Sequence, residues 1–383
     1  MAARRLRAIL AVGIALSIGA SPAWSQRVAG ARPDLSGDEG GLWAAADKAE
    51  LQAKASAEID TDPVLNAYVK EVTCKVAPEY CSDIRLYVMD RPFFNAQMAP
   101  NGYAEVWSGL LLRAGDESEM AFVIGHEVTH FATDDTIVAY RAERGRLNTA
   151  MAFGIAFGGL GLDLAYLAGM ASASSFSRTQ ESAADLGGLR RLRAAGYAPE
   201  ASVAIWKALL DETAASDFDA VRKAPTKGSI FNSHPLDADR IAALQKAIGS
   251  ASGGEAGRDR YRAMIRPHLA SWLRDDLRRR DYGQTLAIIN RLAADGEDAG
   301  LLNFFKGEAY RLRHKDGDTV LAAKAYADAS AQPDAPVDVW RELGEARRKQ
   351  NDKDGARTAF QTYLAKAPNA EDAWLVTDTL KSL

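Results

Sequence analysis

EMAFVIGHEVTH, residues 119–130, is the stretch on which the reading of the whole chain turns. Met120, Val123, Ile124 and Val128 recur at helical spacing, which marks one face as apolar. Asp116 stands where an N-cap belongs, with Glu119 three residues on, and the segment predicts a helix over about 117–132. Side chains four residues apart share a helix face, so the imidazoles of His126 and His130 can reach one metal ion. Glu127 is offset by one position, which puts its carboxylate beside the metal, where a catalytic base belongs. The bland alternative is a surface helix carrying two unrelated histidines. Against it stand the cap, the apolar stripe and the scarcity of histidine, five in 383 residues.

A catalytic zinc takes three protein ligands and keeps an open position for water. Residues 131–136 read FATDDT, so the His-x-x-Gly-x-x-His continuation is absent and the third ligand comes from elsewhere. ESAAD, residues 181–185, places Glu181 one helical turn before Asp185. Glu181 can bind the metal while Asp185 orients a ligand histidine. The pattern alone is common; its value lies in following the histidine pair on a predicted helix. His234-Pro235, then Asp237, Asp239 and Arg240, is a third signal. A lone histidine is usually a surface or capping residue, but His234 can also stabilise an oxyanion or fill the open metal position at rest. His268 and His314 sit in helical regions without metal-like partners and read as structural. Two cysteines, Cys74 and Cys81, are too few for a cysteine-type zinc site. They form either a short-loop disulfide or two buried free thiols.

Outward from this centre, Arg4, Arg5 and Arg7, the apolar run Ala8 to Ala20 and Ala23-Trp24-Ser25 read as a secretory signal over 1–25. An uncleaved anchor is the alternative. Export implies an oxidising compartment. Residues 26–40 read as a flexible lead-in. The formal net charge is −4 and falls further once three leader arginines go, so nucleic acid is excluded as a partner. Two helices are expected over 41–77, divided near Asp62-Pro63, then strands at 84–89 and at Tyr103 to Trp107. Residues 149–173 are small and apolar; glycines and Asp163 argue for a lid-like helix pair, with peripheral membrane contact as the lesser reading. Helices follow at 178–195, at 198–213 and from near Asp237. Residues 249–257 (GSASGGEAG) read as a linker. Beyond it, Trp340, Leu343, Gly344, Ala356, Phe360 and Pro368 fall at the spacings of a tetratricopeptide repeat. Tyr326 precedes Phe360 by one 34-residue period. Gly307 and Tyr310 belong to that earlier unit, and Leu286, Ile289 and Leu292 to a weaker one. The predicted fold is mainly α: an α+β zincin with a small β-sheet over 41–248, then an α-solenoid of tetratricopeptide-like helix pairs over 258–383.

Four ordered motifs, NAQMAPNGYAEVWSGLL (95–111), EMAFVIGHEVTH (119–130), SRTQESAADLGG (177–188) and SHPLDADRI (233–241), give the chain a specific resemblance to the M48 family of zinc peptidases over about residues 40–250. The leader and repeats look most like its periplasmic branch. The resemblance implies one Zn2+ on His126, His130 and Glu181, Glu127 as base, Asp185 behind a ligand, and His234 and Arg240 near the site; the expected mechanism gives His234 or Arg240 the oxyanion. It also implies an edge strand near 103–111 that pairs with extended substrate. Members often carry another histidine shortly after the second ligand, where this chain has Asp134 and Asp135. The expected function is a zinc endopeptidase of the cell envelope, acting on misfolded or stalled envelope proteins, with the repeats recruiting protein clients or envelope assembly machinery. Two further readings stay open: a periplasmic chaperone or adaptor with a latent or lost peptidase, and a structural zinc site.

Overall fold

Two aspartates start the helices that frame the N-terminal half. In the computed structural model, which describes residues 27–34, 36–142, 144, 176–223, 234, 238–250 and 252–383, a first helix α1 (Asp38–Lys54) precedes α2 (Pro63–Val76). The Asp62 carboxylate accepts from the Val64 N–H at 2.8 Å, and Pro63 sits in the first turn, where its missing N–H costs nothing. Three strands follow, β1 (Arg85–Met89), β2 (Ala96–Met98) and β3 (Tyr103–Trp107), then α3 (Ser108–Arg113). Asp116 accepts from the Glu119 N–H at 2.9 Å and opens α4 (Glu117–Ala132), as its position predicts. The leader at 1–25 and the lid-like stretch at 149–173 lie outside the described residues. Among the described residues no helix is long and apolar enough to cross a membrane.

The sheet runs in the order β1-β3-β2, with β1 parallel and β2 antiparallel to β3. This corrects the expectation of an edge strand at 103–111. β3 is paired on both sides, and the chain turns helical at Ser108. The exposed border belongs to β2, because the Asn95–Trp107 and Ala99–Tyr103 backbone bonds leave the Ala96 and Met98 amides facing outward. Cys74 and Cys81 are joined as a disulfide, Cα to Cα 4.7 Å, between the end of α2 and β1.

Beyond α4 the described residues include a helical stretch at 135–142 and the helices α5 (Arg178–Ala194), α6 (Ala201–Ala214), the short α7 (Asp219–Arg222), α8 (Ala238–Ile248), α9 (Arg258–Ile265), α10 (Leu269–Arg278), α11 (Tyr282–Leu292), α12 (Ala299–Arg313), α13 (Asp318–Ser330), α14 (Val339–Lys349), α15 (Lys353–Lys366) and α16 (Ala373–Lys381). From α12 onward they form pairs with a recurring contact. Gly307 lies against the Tyr326 ring and Gly344 against the Phe360 ring, each too close for a Cβ.

The expected boundary at 249–257 does not divide two cores. One apolar cluster runs from Leu65 and Val69 through Met120, Val123 and Trp206 to Tyr261, Trp272, Ile289 and Phe305. The chain between is tied down as well: Glu255 N–H donates to Gly196 O and Ser118 N–H to Ala256 O. The buried Arg113 guanidinium reaches Glu212 at 2.9 Å and Asp276 at 2.6 Å, joining α3, α6 and α10. Truncation at residue 257 is therefore expected to yield an insoluble or unfolded product rather than a free peptidase. A single cooperative melt of that fragment, at the full chain's midpoint, would refute the shared core.

Candidate metal centre

α4 carries His126, Glu127 and His130, and α5 crosses it closely enough to bring in a carboxylate. The approach depends on Gly187 and Gly188. A Cβ on Gly187 would collide with the Thr129 side chain, and one on Gly188 would lie 3.0 Å from the His126 backbone nitrogen. Ser177 starts α5 with a reciprocal capping box to Gln180, which sets Glu181 in its first turn. Replacing Gly187 with Val should push α5 off α4 and weaken metal uptake more than tenfold, with overpacking of about 1–3 kcal/mol. Wild-type uptake by that variant would argue against the packing constraint.

His126, His130, Glu181 and His234 each offer an atom, and these lie within 4.8 Å of one another, all buried. His126 Nε2 is 3.2 Å from His130 Nε2 and 3.3 Å from His234 Nδ1. Glu181 oxygens lie 3.6 Å from His126 Nε2, 3.4 Å from His130 Nε2 and 3.0 Å from His234 Nδ1. Ligands about 2.0–2.1 Å from a tetrahedral zinc stand about 3.3 Å apart, so these edges fit the ion.

The hydrogen bonds argue the same way. His126 Nδ1 is 3.0 Å from Asp185 and His130 Nδ1 is 2.7 Å from Asp135. An ionised carboxylate cannot donate, so both Nδ1 atoms carry hydrogen and the two Nε2 lone pairs face each other. Only a cation, whether proton or metal, reconciles that arrangement. Burial acts to strip a proton from His130, yet Asp135 and Glu181 carry its pKa up to about 9. For His126 burial wins and the pKa falls. The negative charge that raises the His130 pKa also attracts a divalent cation, and imidazole nitrogens with one carboxylate suit zinc.

Around this quartet, Asp185 accepts from Arg240 Nε at 2.7 Å and Nη2 at 2.8 Å, and from Trp206 Nε1 at 3.3 Å. Arg240 Nη1 meets Glu181 at 2.7 Å. Burial alone would raise both acids; His130, His234 and His126 hold Glu181, and Arg240 with His126 holds Asp185, below their ordinary values. Phe176 stacks on His130 with centroids 4.1 Å apart. Glu127 lies 3.6 Å from His234 Nε2, and its buried Oε1 has no hydrogen-bond partner among the described residues.

The sequence-predicted residues thus meet at one point. Arg240 faces the carboxylates of Glu181 and Asp185. His234 stands at the fourth corner of the quartet, with Nε2 toward Glu127. Asp135 and Trp206 escaped the sequence reading. Asp135 follows a helix end with no periodic signal, and Trp206 sits on an apolar helical stripe where an aromatic reads as core. His268 approaches Asp62 at 3.1 Å and stacks on Trp272, far in sequence from the centre.

Two histidines on one helix and a glutamate from the next define a zinc metallopeptidase domain. Residues 61–248 of the chain match peptidase family M48. It is similar to a putative beta-barrel assembly-enhancing protease of Vibrio cholerae serotype O1, 28% identical over 264 residues, 64% of this chain and 48% of that one. It is also similar to the beta-barrel assembly-enhancing protease of Escherichia coli O157:H7, 25% identical over 206 residues, 50% of this chain and 40% of that one. The chain spans about half the length of the curated relatives it matches.

Proposed function

We propose that the chain is a zinc endopeptidase of the cell envelope that clears misfolded or stalled envelope proteins, with its C-terminal helix pairs recruiting protein clients or assembly machinery. The convergence of His126, His130 and Glu181 beside Glu127 carries the reading. When bound, zinc supplies Lewis acidity to water and to the scissile carbonyl. Glu127 takes the water proton on its unpartnered oxygen and delivers it to the leaving amine nitrogen. Arg240 and Asp185 hold Glu181 and His126 in place. The open border of β2 offers main-chain partners to an extended peptide, which holds many sequences in register. The relatives' names support a barrel-type client.

The test pairs metal analysis with cleavage of a misfolded β-barrel protein. The purified chain should hold about one zinc, lose cleavage on chelation and regain it when zinc returns. Cleavage that survives complete zinc removal would end the proposal.

A second reading, a chaperone or adaptor with a latent peptidase, is favoured by one observation. His234 Nδ1 fills the corner that attacking water needs. On this reading the site rests closed, and His234 must withdraw for turnover. His234→Ala keeps three donors and should bind zinc while raising basal cleavage several-fold. Reduced cleavage at unchanged zinc content would instead give His234 a direct part in the chemistry.

A further inference from the structure

We propose that Asp135 is the positioning residue of His130, fixing that ring in one tautomer and making it the stronger of the two imidazole donors. The inference rests on the metallopeptidase reading.

α4 ends at Ala132, and in the turn beyond it Asp134 takes a left-handed conformation at φ 54°. That turn starts a new helical stretch at 135–142, so Asp135 enters its first turn. Free N–H groups at a helix start favour a carboxylate, which makes a buried one tolerable there. A helix start would be served as well by an exposed aspartate, however. This side chain is only 1% exposed and puts Oδ2 2.7 Å from His130 Nδ1. Its other oxygen, Oδ1, has no hydrogen-bond partner among the described residues.

Asp185 differs behind His126. Its oxygens are shared among the His126 ring at 3.0 Å, two nitrogens of Arg240 and the Trp206 indole. The Arg240 charge offsets its own. Among the described residues no such cation pairs with Asp135, and its carboxylate bears on His130 alone. A carboxylate behind an imidazole fixes the ring and raises its basicity toward the metal. The two histidines of one helix turn are therefore unequal ligands, and the inequality comes from a residue outside that helix.

Two variants separate charge from hydrogen bond. Asp135→Asn keeps an oxygen acceptor and removes the charge; Asp135→Ala removes both. Zinc affinity of the full chain is read by competition with a chromophoric chelator. The Asn variant should bind about tenfold more weakly and the Ala variant up to about 100-fold. The visible bands of the cobalt-loaded Asn variant should shift from those of wild type, while the metal-free melting temperature stays close to it. Zinc affinity and cobalt bands unchanged in Asp135→Asn would overturn the proposal, leaving the residue a helix-start role. A wild-type chain that takes up no zinc would sink the metallopeptidase reading instead. If the Ala variant does not fold, the Asn variant decides alone.

Discussion

Glu127→Gln is expected to leave zinc binding intact and to lower peptide cleavage by about 100- to 10,000-fold. The carboxylate contributes none of the four converging donor atoms, so the isosteric amide should not disturb the metal quartet. It removes the group that can accept the water proton. Each tenfold loss corresponds to about 1.4 kcal/mol of transition-state stabilisation, so the change is worth about 3–5 kcal/mol. The measurement is kcat/KM on a peptide substrate together with zinc content of the same sample. Full activity at full zinc occupancy would remove Glu127 from the mechanism. Lost zinc would make it a support for the site.

Arg240→Met should be the most destabilising single change near the centre. The guanidinium touches both Glu181 and Asp185 and is itself buried. Removing it strands two carboxylates away from water, a loss of about 3–5 kcal/mol in the metal-free protein. Zinc should restore part of that loss, because it supplies positive charge against Glu181. pH gives a further signature. Both acids titrate below their ordinary values of 4.5 and 3.8 in the folded wild type. Their contribution is therefore present above those values and lost as pH falls through the folded ones. The wild-type advantage over Arg240→Met should accordingly shrink as pH drops below about 4. Urea melts at several pH values, with and without zinc, test this. A variant as stable as wild type but poor in kcat would return Arg240 to the oxyanion.

Much of the centre could be read before any fold was known, because the signals are local. The spacing of His126 and His130, the Asp116 cap and the apolar stripe all lie within one helix, and a helix sets its own geometry. Seven residues of spacing allow Cys74 and Cys81 either a disulfide or two thiols, and only the fold joins them. The border strand was misplaced because strand order is a matter of pairing between distant segments. Nothing local to residues 103–107 or 96–98 says which is flanked twice.

The tethering of residues 249–257 is invisible in the sequence for a related reason. Glycine and serine over 249–257 describe local backbone freedom, but whether such a stretch is tethered depends on partners elsewhere. Here Gly196, Ala198 and Ser118 supply them. The helices after it bury Tyr261 and Trp272 in the same core as α4.

The sequence by itself determined the helix that carries two histidines and a base, and named the carboxylate that joins them, because repeating spacing and capping are written in adjacent residues. Only the tertiary structure decided that His234 fills the fourth corner, that Arg240 serves the acids, and that Asp135 backs His130. Those contacts bridge turns and helices without a common period, and their energies arise from burial, which exists only once the chain has closed around them.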